Sequence, residues 1–101
     1  MAQKPLPEWT QKLKQRDPKF TEMYLAQREL IMNDGAIPAK YKILMTMIVD
    51  SVLGHPDGCA SIAKQARAAG ATEAEINEAV EVAYLFGGTP ALVTATRAFT
   101  T

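Results

Sequence analysis

Residues 72–90 read TEAEINEAVEVAYLFGGTP, and this stretch decides the fold class. Thr72 followed three residues later by Glu75 is a capping-box pattern: the hydroxyl accepts from the backbone at the third helical position, and the carboxylate returns a bond to the cap. Ile76, Ala79, Val80 and Ala83 then recur at steps of three and four, which predicts an amphipathic helix to about Phe86. Gly87-Gly88 breaks it. Thr89-Pro90 repeats the cap-plus-proline logic and predicts a last helix through Ala91, Leu92, Ala95 and Phe99.

The same punctuation extends toward the N-terminus. His55-Pro56-Asp57 opens a helix that ends at Gly70, with Cys59, Ile62, Ala63, Ala66 and Ala69 on a face of small residues that a neighbour can approach closely. Before it, a helix from about Pro38 to Leu53 is apolar nearly all round, except for a line through Lys42, Thr46 and Asp50 at four-residue steps. That pattern predicts a central position, and Gly54 supplies the left-handed residue that stops it. Asp17-Pro18 caps and starts a helix whose stripe is Phe20, Met23, Tyr24, Gln27, Leu30 and Ile31, closed by Asn33-Asp34-Gly35. Residues 5–16 form a short polar helix with Trp9 and Leu13 on one side, read as an arm or lid. Strand-like alternation is absent. The expectation is an all-α bundle of about five to six helices, with an arm over residues 1–17 and a helical domain over 18–101.

Composition narrows the class of function. A chain of 101 residues with 48% hydrophobic residues carries more apolar side chains than a small monomer readily hides, which points to self-association. Eleven basic residues balance eleven acidic ones, and no basic run occurs, so nucleic acid is not an expected partner. The longest apolar run, residues 43–53, is interrupted by Thr46, Asp50 and Ser51 and is too short to span a membrane. Residues 1–7 lack the apolar core of a secretory signal, and a lone cysteine offers no disulfide framework, so a reducing cytoplasm is expected.

Groups able to move protons, bind metal or attack an electrophile concentrate in one window: Asp50, His55, Asp57 and Cys59. The window spans the turn into a helix start, where N–H groups and the dipole favour anions or a thiolate. Three readings follow. In a structural one, Asp57 caps or complements the helix, His55 bonds a backbone carbonyl and Cys59 packs inward. In a second, His55 is a general acid/base beside a carboxylate, acting on a small organic acid. In a third, the cluster is a metal site completed by another subunit, although no second His or Cys pair supports it. Thr46 and Asp50, one turn apart, could both face a polar pocket, or Asp50 could be bonded to backbone or to Lys42. Gly87-Gly88-Thr89-Pro90 lacks the spacing of a phosphate loop.

The elements Ala39-Lys40-Tyr41-Lys42 before an apolar helix, then Ala66-Arg67-Ala68-Ala69-Gly70-Ala71-Thr72 with Glu75-Ile76-Asn77-Glu78-Ala79, then Gly87-Gly88-Thr89-Pro90-Ala91, resemble the carboxymuconolactone decarboxylase family, which includes the alkyl hydroperoxidase D group. The similarity covers about residues 20–99. It implies an all-α fold around a helical hairpin, assembled as obligate homo-oligomers, commonly trimers or hexamers, with active sites near subunit contacts. In the hydroperoxidase branch the motif is a Glu, then twelve residues on a Cys-x-x-Cys, with a His four residues beyond the second Cys. Counting back from Gly70 sets Ile43 at that Glu, His55 and Gly58 at the two Cys, and Ile62 at the His.

Three functions are therefore carried forward. The first is a decarboxylase-like enzyme or small-acid binder, with His55 as acid/base, Asp50 or Asp57 orienting it, Lys42 or the N-terminus of the helix after His55 holding a carboxylate, and Thr46 also on the substrate side. The second is a single-cysteine thiol peroxidase with Cys59 attacking the peroxide, its sulfenic acid resolved by another thiol. The third is a non-catalytic oligomeric binder or scaffold. None requires an organic cofactor or a resident metal.

Overall fold

A computed structural model describes residues 6–100 and contains five α-helices: Glu8–Arg16 (α1), Pro18–Met32 (α2), Ala39–Val52 (α3), Pro56–Ala68 (α4) and Glu73–Ala95 (α5), followed by a 3-10 turn at Thr96–Ala98. No strand occurs among the described residues, so the all-α expectation holds. No helix among them is long and apolar enough to cross a membrane. The chain falls into two compact units, one ending at Asn33 and the other beginning at Asp34.

In the first unit, Asp17 serves both helices. Its N–H closes α1 on the Leu13 carbonyl, and its carboxylate accepts the Phe20 N–H at 3.2 Å to cap α2, with Pro18 in the first turn as the sequence predicts. Trp9 meets Tyr24 edge to face at 5.6 Å, and the small residues Thr10 and Thr21 are fully buried. The predicted stripe on α2 is not what this unit covers: Phe20, Met23, Leu30 and Ile31 are all more than half exposed. Thr21, whose hydroxyl donates to the Asp17 carbonyl at 2.8 Å, occupies the covered line instead. Pro5, the expected first residue of this helix, lies outside the described residues, and α1 begins at Glu8.

In the second unit, α3 packs against α4 and α5 around Leu44, Met47, Ile76 and Val80. Most of the remaining core is alanine: Ala63 and Ala66 from α4, Ala79, Ala83 and Ala95 from α5. Small side chains bring the helix axes close and leave little volume for larger ones. α3 is central in its contacts but is covered on one side only. The expected central position therefore holds, but Tyr41, Met45, Val49 and Val52 stay 41–55% exposed.

Both halves of the capping box at Thr72 and Glu75 are present. The predicted break is real too: two helical segments within α5 meet at a kink at Gly88. Gly88 has φ +74° and ψ −170°, a conformation essentially restricted to glycine, and Pro90 follows. Gly87 is set tightly against α3: a methyl there would overlap the Ala91 side chain and come within 3.2 Å of Val52. A straight helix of 23 residues would be about 34 Å long. Yet the Arg67 guanidinium reaches Glu73 at the start of α5 and the Ala98 carbonyl just past its end, at 2.8 and 2.9 Å. The segment therefore folds back at Gly88. Phe99, expected in the last helix, lies beyond the 3-10 turn with an extended backbone.

Candidate functional site

The corner between α3 and α4 gathers the residues singled out above, and its geometry begins with Gly54. That residue adopts φ +78°, where a side chain would be strained, and its N–H bonds the Ser51 carbonyl. The turn brings the His55 N–H back onto the Asp50 carbonyl at 2.9 Å. Asp50 then holds the same residue a second time: its Oδ1 lies 2.9 Å from His55 Nδ1. A carboxylate only accepts, so Nδ1 carries the proton and Nε2 is left as the free lone pair. The Asp50 side chain is 23% exposed and that of His55 57%, so the carboxylate is partly withdrawn while the ring remains open to solvent.

The other carboxylate of the window has a different partner. Asp57, in the first turn of α4, is almost fully exposed and pairs with Arg97 at 3.1 Å. Of the two roles expected of Asp57, capping is not seen, since no side chain caps α4, whereas its place in the first turn does set a negative charge at the positive end of the helix; Asp50 rather than Asp57 orients His55. The His55 ring bonds the Asp50 carboxylate, while only its backbone N–H takes a carbonyl. Arg97 was missed because it lies forty residues from its partner, and no local spacing signals such a contact.

Cys59 sits one turn further into α4 and is fully buried. Its sulfur lies 3.1 Å from Ser51 Oγ, while Ser51 donates to the Met47 carbonyl at 2.8 Å. The Met47 carbonyl also lies 3.7 Å from the sulfur, within reach of the thiol hydrogen. Burial pushes the thiol above its ordinary range. The Ser51 bond opposes that, the Asp50 charge adds to it, and Arg97 pulls the other way. A buried thiol with a raised pKa is a weaker nucleophile than a free one, which favours the packing role of Cys59 over attack on a peroxide.

Thr46 uses its hydroxyl hydrogen on the Ile43 carbonyl at 2.7 Å and keeps its lone pairs. Lys42 lies near Gly35, where an added methyl would stand 3.6 Å from Nζ. Eight residues of helix separate Lys42 from Asp50, about 12 Å of rise, so the polar line on α3 leads away from His55 and does not converge on it. Among the described residues, no three of the His, Cys, Asp and Glu side chains come together as metal ligands. Within one chain the window does not gather as a ligand set, since Asp57 turns to Arg97 and Cys59 turns to the core. What the corner can do is accept or deliver a proton at His55 Nε2.

The model of the carboxymuconolactone decarboxylase family matches residues 18–101. The crystal structure of a candidate carboxymuconolactone decarboxylase from Burkholderia xenovorans LB400 is similar to this chain with a TM-score of 0.83 and 26% identity, over 92% of this chain and 74% of that one. No curated protein sequence matches.

Proposed function

Because the chain belongs to the carboxymuconolactone decarboxylase family, we propose that it binds or converts a small organic acid or lactone, with His55 as the general acid/base. The observation that carries this reading is the 2.9 Å contact between His55 Nδ1 and Asp50 Oδ1, which fixes the ring and directs Nε2 outward. Asp50 orients the imidazole and stabilises it when it is charged, the role a carboxylate plays behind a catalytic histidine.

For a carboxylated lactone, the class named by the family, the bond between the ring carbon and the carboxylate breaks and carbon dioxide leaves. The bonding pair is taken up by the conjugated carbonyl system. The proton that replaces the carboxylate comes from protonated His55 at Nε2, and solvent returns one to the ring. Arg97 is the cation beside this corner and serves the substrate carboxylate, exchanging with Asp57. Thr46 and Lys42 extend the polar line on the same helix and form the outer part of the binding surface.

The functional unit is a homo-oligomer, a trimer or hexamer, in a reducing cytoplasm, with the site beside a subunit contact. The exposed row Tyr41, Met45, Val49 and Val52 on α3 runs next to the polar line of Lys42, Thr46 and Asp50, which supports this placement. The decisive experiment measures binding and carbon dioxide release with a carboxylated lactone for the wild type and for His55→Gln. Loss of turnover in the variant, with its fold intact, is expected. Equal activity in both proteins overturns the acid/base role, and absence of binding to the wild type leaves the scaffold reading.

A further inference from the structure

Gly58 is a helical glycine with no backbone reason to be one. Positive φ occurs only at Gly54, Gly70 and Gly88 among the described residues, so Gly58 adopts a conformation open to every residue. Glycine inside a helix is less favourable than alanine, because it loses more backbone freedom on folding. The reason for it is space. A methyl group at Gly58 would overlap Asp50 Oδ2, come within 3.0 Å of Asp50 Cγ, and stand 3.5 Å from His55 Cβ. The carboxylate whose Oδ1 holds His55 thus rests its other oxygen against the bare backbone of α4.

We propose that Gly58 is a positioning residue: by lacking a side chain it lets Asp50 seat against α4 in the one orientation that fixes His55 with the proton on Nδ1 and the base on Nε2. This rests on the acid/base reading for its consequence, but not for its geometry. Asp50 is long enough to rotate away from a new methyl group, so Gly58→Ala leaves the helices in place and removes the partner of His55. The imidazole then distributes its proton between both nitrogens.

His55 is the only histidine of the chain, so its ring nitrogens are read without ambiguity by long-range 1H–15N NMR of the intact protein at a pH where the ring is neutral. The wild type is expected to show the Nδ1–H form as the dominant tautomer. Gly58→Ala is expected to lose that dominance and match Asp50→Ala, with unchanged far-ultraviolet circular dichroism. A folded Gly58→Ala protein with the wild-type nitrogen signature overturns the proposal. Should Gly58→Ala fail to fold, the double variant Asp50→Ala/Gly58→Ala is expected to fold, since the overlapping carboxylate is gone, and a double variant equally unfolded overturns the proposal as well. The readout needs no substrate, so failure here is distinct from failure of the proposed function, which is read from the turnover of His55→Gln.

Discussion

Two helix starts in this molecule use similar residues to opposite ends. At the start of α5, Thr72 and Glu75 satisfy each other's backbone groups at 3.0 and 2.8 Å, and Lys40 adds an ion pair to Glu75 at 3.2 Å. The side chains of Thr72 and Glu75 are both committed to the backbone of the helix start, and Glu75 also to Lys40. At the start of α4 no side chain caps the helix. His55 and Asp50 bind each other across the corner, Asp57 pairs with Arg97, and the imidazole keeps one nitrogen free. A helix terminus whose side chains cap it is a structural joint; one whose side chains pair with each other instead can hold a proton in a fixed place.

The contrast is broken most strongly at His55. His55→Gln should lower turnover of a bound lactone by about two to four orders of magnitude, the range for loss of a general acid/base, while thermal melting of the variant stays close to the wild type. If melting falls instead and turnover does not, the α4 corner is a joint like the other. Next in size is the accessibility of Cys59. Native protein should react with a neutral thiol reagent more slowly than denatured protein by well over tenfold, since the thiol is buried and protonated. Rapid native labelling would restore the peroxidase reading.

The α5 start should answer in stability alone. Thr72→Ala should cost about 1 kcal/mol in a denaturation experiment, with no change in ligand binding; altered binding would mean that this terminus also serves the site. The smallest effect concerns pH. The Glu75 carboxyl is held below its ordinary range by the Thr72 backbone N–H first and by Lys40 second. A group with a lowered folded pKa stabilises above its unfolded value and loses that contribution as pH falls through the folded one. Acid titration of stability should therefore be slightly shallower in Glu75→Gln than in the wild type, below the ordinary carboxylate range only.

The fold was legible because its signals are local. Asp17-Pro18, Thr72 with Glu75, and Gly87-Gly88 each fix a helix end by chemistry within three or four residues, and the structure carries all of them. The family followed from the order of those same signals. The site was legible only in its membership. His55 and Asp50 were both in the window, but which carboxylate faces the imidazole depends on the left-handed turn at Gly54, which spacing alone does not reveal. Cys59 lies two residues from Asp57, and helical rotation sends one to the core and the other to solvent. Arg97 carries no local mark at all. The exposed rows on α2 and α3 were read as packing faces from periodicity, which reports that a face is apolar and not what covers it.

One guanidinium ties residue 73 to residue 98 through Arg67, and this makes the intervening stretch a closed loop with its buckle on α4. The C-terminal turn and the first residues of α5 are therefore fastened by the same side chain and should open together. Hydrogen exchange at Ala98 and Ile76 would rise in parallel in Arg67→Lys, because an ammonium cannot reproduce a fork that grips a carboxylate and a carbonyl at once. The end of this fold is anchored at its middle.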